Sequence, residues 1–288
     1  MRTIESVVFK GGGVLGMAYA GAIEALEEQG ILQKVQRSAG TSAGSVVALM
    51  VALGYNSAEI KKVVNETNFN DFEDHWNPLR VATKYGLYKG DFLLKWIQGI
   101  VAEKADKNIT YGEMKAKGFK ELKVFATNLN TQLAQEFSAE ETPDVKLAES
   151  VRASMSIPLF FAAWQFPHGK PNNHIYVDGG VLYNYPINAY DLDTTLGFFL
   201  HDKHDLSGSD LEYDHLLNYV GSLFQTLLKA QEIDFEASEE ETEVSILIDD
   251  FGISATNFSI DDEQKTKLFN SGKEATLNYI QKNKAGQS

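Results

Sequence analysis

Short apolar runs that stop at glycine-rich turns, each followed by apolar residues at helical spacing, organise the start of the chain. Val7-Val8-Phe9 runs into Gly11-Gly12-Gly13, and Ala18 to Leu26 then keeps helical spacing until Gly30 supplies a stop. The pattern recurs from about Gln33 to Gly54, as a short segment around Val35, the turn Gly40-Thr41-Ser42-Ala43-Gly44 and the apolar helix Ser45 to Leu53. Two strand-turn-helix units in series predict an α/β fold of three layers, α/β/α, around a central, mostly parallel sheet.

From Ser57 to Lys120 the pattern is helical and irregular, with Ser57 as an N-cap, a break at Asn77-Pro78 and interruptions at Gly86, Gly90 and Gly99. Leu122 to Asn128 and Leu133 to Phe137 alternate around an Asn-Leu-Asn-Thr turn and predict two paired strands. Leu147 to Met155 is helical before Pro158, and Ile175-Tyr176-Val177 is a third strand that delivers Asp178 to a turn. Leu196 to Leu200 reads as a buried strand. Leu216, Leu217, Val220, Leu223, Phe224, Leu227 and Leu228 form one apolar stripe of a core-facing helix. Glu232 to Asp250 holds nine acids and no base, which predicts a solvated loop entering a strand at Val244 to Ile248; a last helix covers Asp262 to Lys282. This divides the chain into a catalytic domain over 1–200, with a helical insertion over about 57–120 that could cover a site, and a C-terminal helical extension over 201–288 packed on the same domain.

Candidate chemistry sits at the turns. Gly40-Thr41-Ser42-Ala43-Gly44 matches G-x-S-x-G, in which glycines relieve crowding around a sharp strand-to-helix turn and leave the serine Oγ exposed at a helix N-terminus. Gly11-Gly12-Gly13 with Gly16 completes G-x-G-x-x-G, but Glu27 and Glu28 fall in the following helix rather than at a second strand end, so the dinucleotide reading fits badly. A P-loop needs Gly-Lys-Ser/Thr where Gly16 is followed by Met17 and Ala18. What remains is a nest of backbone N–H groups suited to an oxyanion. Asp178-Gly179-Gly180 alone is a common turn signal; beside a serine, a fixed carboxylate can take the hydroxyl proton.

These three motifs, in this order and each after a strand, resemble the patatin-like phospholipase family. Ala153 to Pro158 with Phe160 or Phe161, and Asn184-Tyr185-Pro186, are also similar to segments that flank the family's aspartate, and the likeness covers about Val7 to Pro186. The resemblance implies a serine acyl hydrolase that cleaves ester-linked acyl chains from phospholipids, with Ser42 as nucleophile, Asp178 as base, Gly11, Gly12 and Gly13 as oxyanion hole, Gly40 and Gly44 shaping the nucleophile elbow, and no metal or cofactor. The family often has Arg or Lys where this chain has Leu15, so the oxyanion donors here are backbone N–H groups and Leu15 packs or meets an acyl chain.

Charge narrows the partners. A net charge of −14 excludes nucleic acid, whose phosphates demand Lys and Arg, and an anionic leaflet repels a uniformly acidic face by about 1 kcal/mol per charge. Contact with a membrane or micellar phospholipid substrate therefore needs a local face, and Leu79 to Trp96 offers one: Arg80, Lys84, Lys89 and Lys95 against Asp91 alone, interleaved with aromatic residues. Absence of cysteine excludes disulfides and a thiolate nucleophile. The N-terminus has no Sec-type pattern and no run reaches the roughly 18 apolar residues of a bilayer span, so a cytoplasmic or peripheral membrane protein is expected, with signal-less secretion and an activator partner left open. A Ser-His-Asp triad using His201, His204 or His215, an acyltransferase and a non-catalytic anion-binding scaffold stay open beside the dyad. His201-Asp202-Lys203-His204-Asp205 reads as a solvated loop rather than a metal site.

Overall fold

The computed structural model describes residues 2–202, 216–255 and 257–285. Strand β1 (Ser6–Phe9) leads through the glycine turn into helix α1 (Met17–Glu28), and β2 (Arg37–Thr41) leads through Ser42 into α2 (Ala43–Ala52). The second strand starts beyond Val35, which lies buried on the approach to it. Next come α3 (Ser57–Glu66), α4 (Arg80–Lys84), β3 (Gly86–Tyr88), α5 (Asp91–Ala102), α6 (Tyr111–Ala116), the pair β4 (Glu121–Asn128) and β5 (Leu133–Phe137), and α7 (Leu147–Ser154). The chain then adds β6 (Leu159–Phe161), β7 (Tyr176–Asp178), β8 (Thr195–His201), α8 (Leu216–Ala237), α9 (Glu239–Glu243), β9 (Ser245–Asp249) and α10 (Asp262–Ala285).

The main sheet runs β5-β4-β2-β1-β8-β9, parallel except where β5 and β7 meet β4. Strands β1 and β8 are buried on both faces, which explains their continuous apolar runs. Alternation assigns the faces: Val7, Phe9, Leu196, Phe198 and Leu200 enter the larger core with α1, α2 and α10, whereas Val8 and Phe199 point to a smaller core that includes Phe235 of α8. Beyond residue 215, β9 extends the sheet as a parallel neighbour of β8, and α10 packs on α1.

The register of β4 explains how two distant loops meet. One edge of β4 pairs with β5, and the other pairs with β2 over Glu121 to Phe125 and then with β7 over Ala126 to Asn128. Thr41 sits opposite Phe125 and Asp178 opposite Ala126, so β7 takes up the edge where β2 stops. The residue after Thr41 therefore emerges beside Asp178.

Four local expectations are corrected. The α3 N-cap is Asn56, whose side chain accepts the Glu59 N–H while Glu59 returns a bond to the Asn56 N–H; Ser57 is the first helical residue. The insertion is not purely helical, since β3 pairs with β6 in a separate two-stranded sheet. The acidic stretch after Glu232 is mostly helix: Phe235 is buried and carries α8 onward, and Ser238 caps α9, whose first turn holds Glu239, Glu240 and Glu241 where the helix dipole favours acids. The apolar stripe of α8 is split, with Phe224 and Leu228 buried and Leu223 and Leu227 exposed. The side chains of Leu216, Leu217 and Val220 lie outside the described residues.

Candidate active site

Ser42 caps the N-terminus of α2 with φ 51° and ψ −127°, a conformation that L residues rarely adopt and that turns its side chain out of the strand line. The flanking glycines are required by close approach: a Cβ on Gly40 would lie 2.3 Å from Gly44 O, and one on Gly44 would lie 2.4 Å from Phe9 O. The Ser42 N–H donates to Ser154 Oγ at 2.8 Å, and Ser154 Oγ in turn donates to Phe125 O at 2.6 Å. This pins the strained residue to α7 and β4.

The Ser42 Oγ donates to Asp178 Oδ2 at 2.7 Å. Asp178 Oδ1 accepts the Gly180 N–H at 2.8 Å, and the Asp178 N–H donates to Ser156 O at 2.8 Å. Burial pushes the Asp178 carboxyl up to about 7, against the opposing effect of the bonds from Ser42 and Gly180. Its two oxygens are thus both engaged, one by the serine directly, with no imidazole between them.

The glycine turn lies on the other side of Ser42. Gly13 has φ 54° and passes so close to the Ala255 carbonyl that a Cβ would overlap it, and the Val14 N–H donates to that carbonyl at 3.0 Å. The Gly11 N–H donates to Asn184 O at 3.0 Å, which removes it from the expected set of oxyanion donors; its amide ties the turn to the aspartate loop. Among the described residues the N–H groups of Gly12 and Gly13 have no acceptor. Leu15 is buried in the larger core.

An apolar cleft opens from Ser42 and Ala43. Val46, Val47 and Met50 of α2 form one wall, and Phe69, Phe72 and Trp96 of the insertion form the opposite one, with Phe258 closing it from the C-terminal segment. Phe72 is the hub, edge-on to Trp96 at 5.2 Å and 5.8 Å from Phe92, whose ring is partly exposed. The insertion therefore supplies both the wall of the cleft and its rim.

Of the histidines weighed for a triad, His201 ends β8. His174 shares a 2.9 Å hydrogen bond with Asn128, and His204 and His215 lie outside the described residues. Asp202, next to His201, clusters with Asp249 and Asp250, two acids that accept the N–H groups of their own turn, Phe251 and Gly252. Three residues that the motifs did not single out for a role touch the site: Ser154, Asn184 and Gln231. Asn184 is buried with its Nδ2 unpartnered among the described residues, and its Oδ1 is 2.3 Å from the point where a Gly11 Cβ would stand, a point 3.2 Å from Ser42 Cβ.

A serine on a strained strand-to-helix turn, a buried carboxylate against it and an apolar cleft, all at one end of a three-layer α/β/α sheet, define the class of protein. The chain belongs to the patatin-like phospholipase family, whose model matches residues 7–191. It is 31% identical over 280 residues to protein R571 of Acanthamoeba polyphaga mimivirus, covering 93% of this chain and 91% of that one. It is likewise 31% identical over 289 residues to YqhO of Bacillus subtilis, covering 95% and 97%. Among solved structures it is similar to VipD of Legionella pneumophila, with a TM-score of 0.66 at 17% identity, covering 97% of this chain and 67% of that one; this likeness is one of fold.

Proposed function

We propose that the chain hydrolyses ester-linked acyl chains of phospholipids through Ser42 as nucleophile and Asp178 as its base. The observation that carries the reading is the 2.7 Å bond from Ser42 Oγ to a buried carboxylate held near neutrality. Asp178 takes the Oγ proton as Oγ attacks the ester carbonyl, and the tetrahedral oxyanion is held by the Gly12 and Gly13 N–H groups, with the α2 N-terminus adding its dipole. Asp178 then protonates the leaving alcohol; in the second step it takes a proton from the water that attacks the acyl carbon and returns it to the departing Ser42 Oγ, which releases the fatty acid and restores both residues. The apolar cleft suits the acyl chain, each buried CH₂ contributing about 0.8 kcal/mol.

Direct contact between serine and carboxylate favours this reading over a triad. Hydrolysis of a mixed phospholipid panel by wild type and Ser42→Ala tests it, with product mass naming the bond cut; equal release by both proteins would sink it. Labelling of Ser42 by a fluorophosphonate separates an enzyme from a scaffold, and acyl transfer to an added alcohol would show a transferase.

The pH dependence follows from the base. Asp178 acts ionised, and its carboxyl sits at about 7, so kcat/KM on a soluble ester is expected to rise with pH through an apparent pKa near 7 and to level off above it. A profile flat from pH 5 to 8 would contradict a buried carboxylate base.

For contact with lipid, the insertion exposes Trp76, Leu79 and Tyr85, and its partly exposed Phe92 lies 5.8 Å from Phe72 of the cleft wall. Arg80 spends its Nη1 on His75 O and Leu87 O, and Lys89 pairs with Asp91 at 2.5 Å, so the apolar groups rather than these cations drive docking. Trp76→Ala combined with Leu79→Ala is expected to weaken binding to phosphatidylcholine vesicles by at least about tenfold while sparing soluble-ester hydrolysis. Reversing Lys84 and Lys89 is expected to weaken binding to anionic vesicles further, and vesicle binding unchanged in both variants would remove this face from the proposal.

A further inference from the structure

One turn of α8, well past residue 191 where the family match ends, touches both halves of the site. The Gln231 side-chain carbonyl accepts the Asn184 N–H at 2.8 Å, and its Nε2 donates to Gly180 O at 2.7 Å. Gly180 is the residue whose N–H holds Asp178 Oδ1, and Asn184 is the residue whose carbonyl holds the Gly11 N–H. A single planar amide thus spans the loop that carries the base and, through one peptide, the turn that carries the free N–H groups. Glu232, the next residue, takes Lys10 Nζ at 2.5 Å. Lys10 is buried, immediately precedes Gly11, also donates to Leu200 O at 2.7 Å and lies 4.1 Å from the Phe199 ring centre. One turn earlier, Leu228 packs so near Gly180 that a Cβ there would be 3.0 Å from its Cδ2.

We propose that Gln231 is a positioning residue that sets the aspartate turn and the glycine turn in catalytic register, with the Glu232–Lys10 pair as its second arm. The inference rests on the reading of Ser42 and Asp178 as the reacting pair. Gln231 touches no reacting atom; it acts through Gly180 and Asn184. Loss of its donor frees the Gly180 carbonyl, slackens the turn and weakens the Gly180 N–H bond that stabilises the Asp178 carboxylate. Burial, Ser42 and Gly180 are the three influences on that carboxyl, so weakening the last raises its pKa.

The test uses the full chain with Gln231→Met, which keeps length and removes both bonds, and Gln231→Glu, which keeps the acceptor but sets a carboxylate against the Gly180 carbonyl. On a short-chain ester in solution, both are expected to lower kcat about 10- to 100-fold with KM within about twofold, because a misplacement on the order of 1 Å costs about that much. The acid limb of kcat/KM is expected to move to higher pH, further for Glu than for Met, since Glu adds a like charge near Asp178. A kcat within about threefold of wild type with an unmoved acid limb would overturn the inference. So would a lower Tm accompanied by equal losses in kcat and KM and an unmoved limb, which is what a merely structural contact gives. Should Gln231→Met fail to fold, the Gln231→Glu profile decides alone. Ser42→Ala and Asp178→Asn run alongside: activity in either defeats the catalytic reading, whereas two silent controls with wild-type Gln231 variants defeat the clamp only.

Discussion

Asp178→Asn is expected to lower kcat/KM for ester hydrolysis about 10⁴-fold, and at the same time to make the protein more stable at pH 8. The kinetic loss follows from geometry. Oδ2 accepts the Ser42 proton at 2.7 Å, and an amide at the same place cannot take it, so the serine is left as a neutral alcohol with only Gly12, Gly13 and the α2 N-terminus to assist attack. Ser42→Ala removes the bond-forming atom and is expected to cost at least as much. The stability gain follows from linkage. Burial raises the Asp178 carboxyl from 3.8 to about 7, so the folded state binds more protons than the unfolded chain across that window, and stability falls as pH rises through it. Above 7 the wild type carries the full cost of a buried charge, about 4 kcal/mol at most, whereas the Asn variant carries none. Thermal melts at pH 4 and pH 8 check it: the Tm difference should be small at the first and favour Asp178→Asn at the second. A variant less stable than wild type at pH 8 would mean that the ionised carboxylate supports the fold.

Residues close in sequence were the legible ones. Each glycine motif contains its own reason, because Gly40 and Gly44 crowd one another's turn and Asp178 is held by Gly180 two residues on. Strand ends could be located from the apolar runs that stop at them, and three ordered strand-end motifs were enough for the family. The pairing of Ser42 with Asp178 came through the family resemblance and not from either motif's own residues, since it depends on register: Asp178 reaches Ser42 because β7 occupies the edge of β4 that β2 vacates. Ser154, 112 residues from Ser42, looked like any small residue in a helix. Gln231 stood between the apolar stripe that ends at Leu228 and the acidic stretch that begins at Glu232, with no feature of its own, although Leu228 and Phe235 on either side are buried. Gly11 belonged to the motif, yet its N–H serves Asn184, a distinction that only the paired carbonyl reveals.

The second large effect is on the fold, at a residue no motif pointed to for catalysis. Arg152 of α7 is 1% exposed. It donates to Gly90 O at 3.2 Å, Lys89 O at 3.2 Å, Ala162 O at 3.1 Å and Ser156 Oγ at 2.6 Å, and its guanidinium lies 5.4 Å from the Phe161 and Trp164 ring centres. Burial pulls the guanidinium down to about 10, with Asp74 and Asp91 opposing. One side chain therefore closes the start of α5, the end of β6 and the turn after α7 around a single fork. Arg152→Ala takes its side-chain donor from the buried Ala162 carbonyl and the part-buried Lys89 carbonyl, leaves Gly90 O with the Leu94 N–H alone, and opens a large void where the fork stood; the expected loss is about 3–5 kcal/mol, read as a lower urea midpoint at unchanged m. Arg152→Lys is expected to recover less than half, because a compact ammonium cannot span the separated carbonyls. Its surviving fold should also hydrolyse ester more slowly, since Ser156 O accepts the Asp178 N–H at 2.8 Å and the fork holds Ser156. A loss below about 1 kcal/mol for Arg152→Ala would mean that water replaces the fork, and that the insertion and the catalytic loop are joined by packing alone.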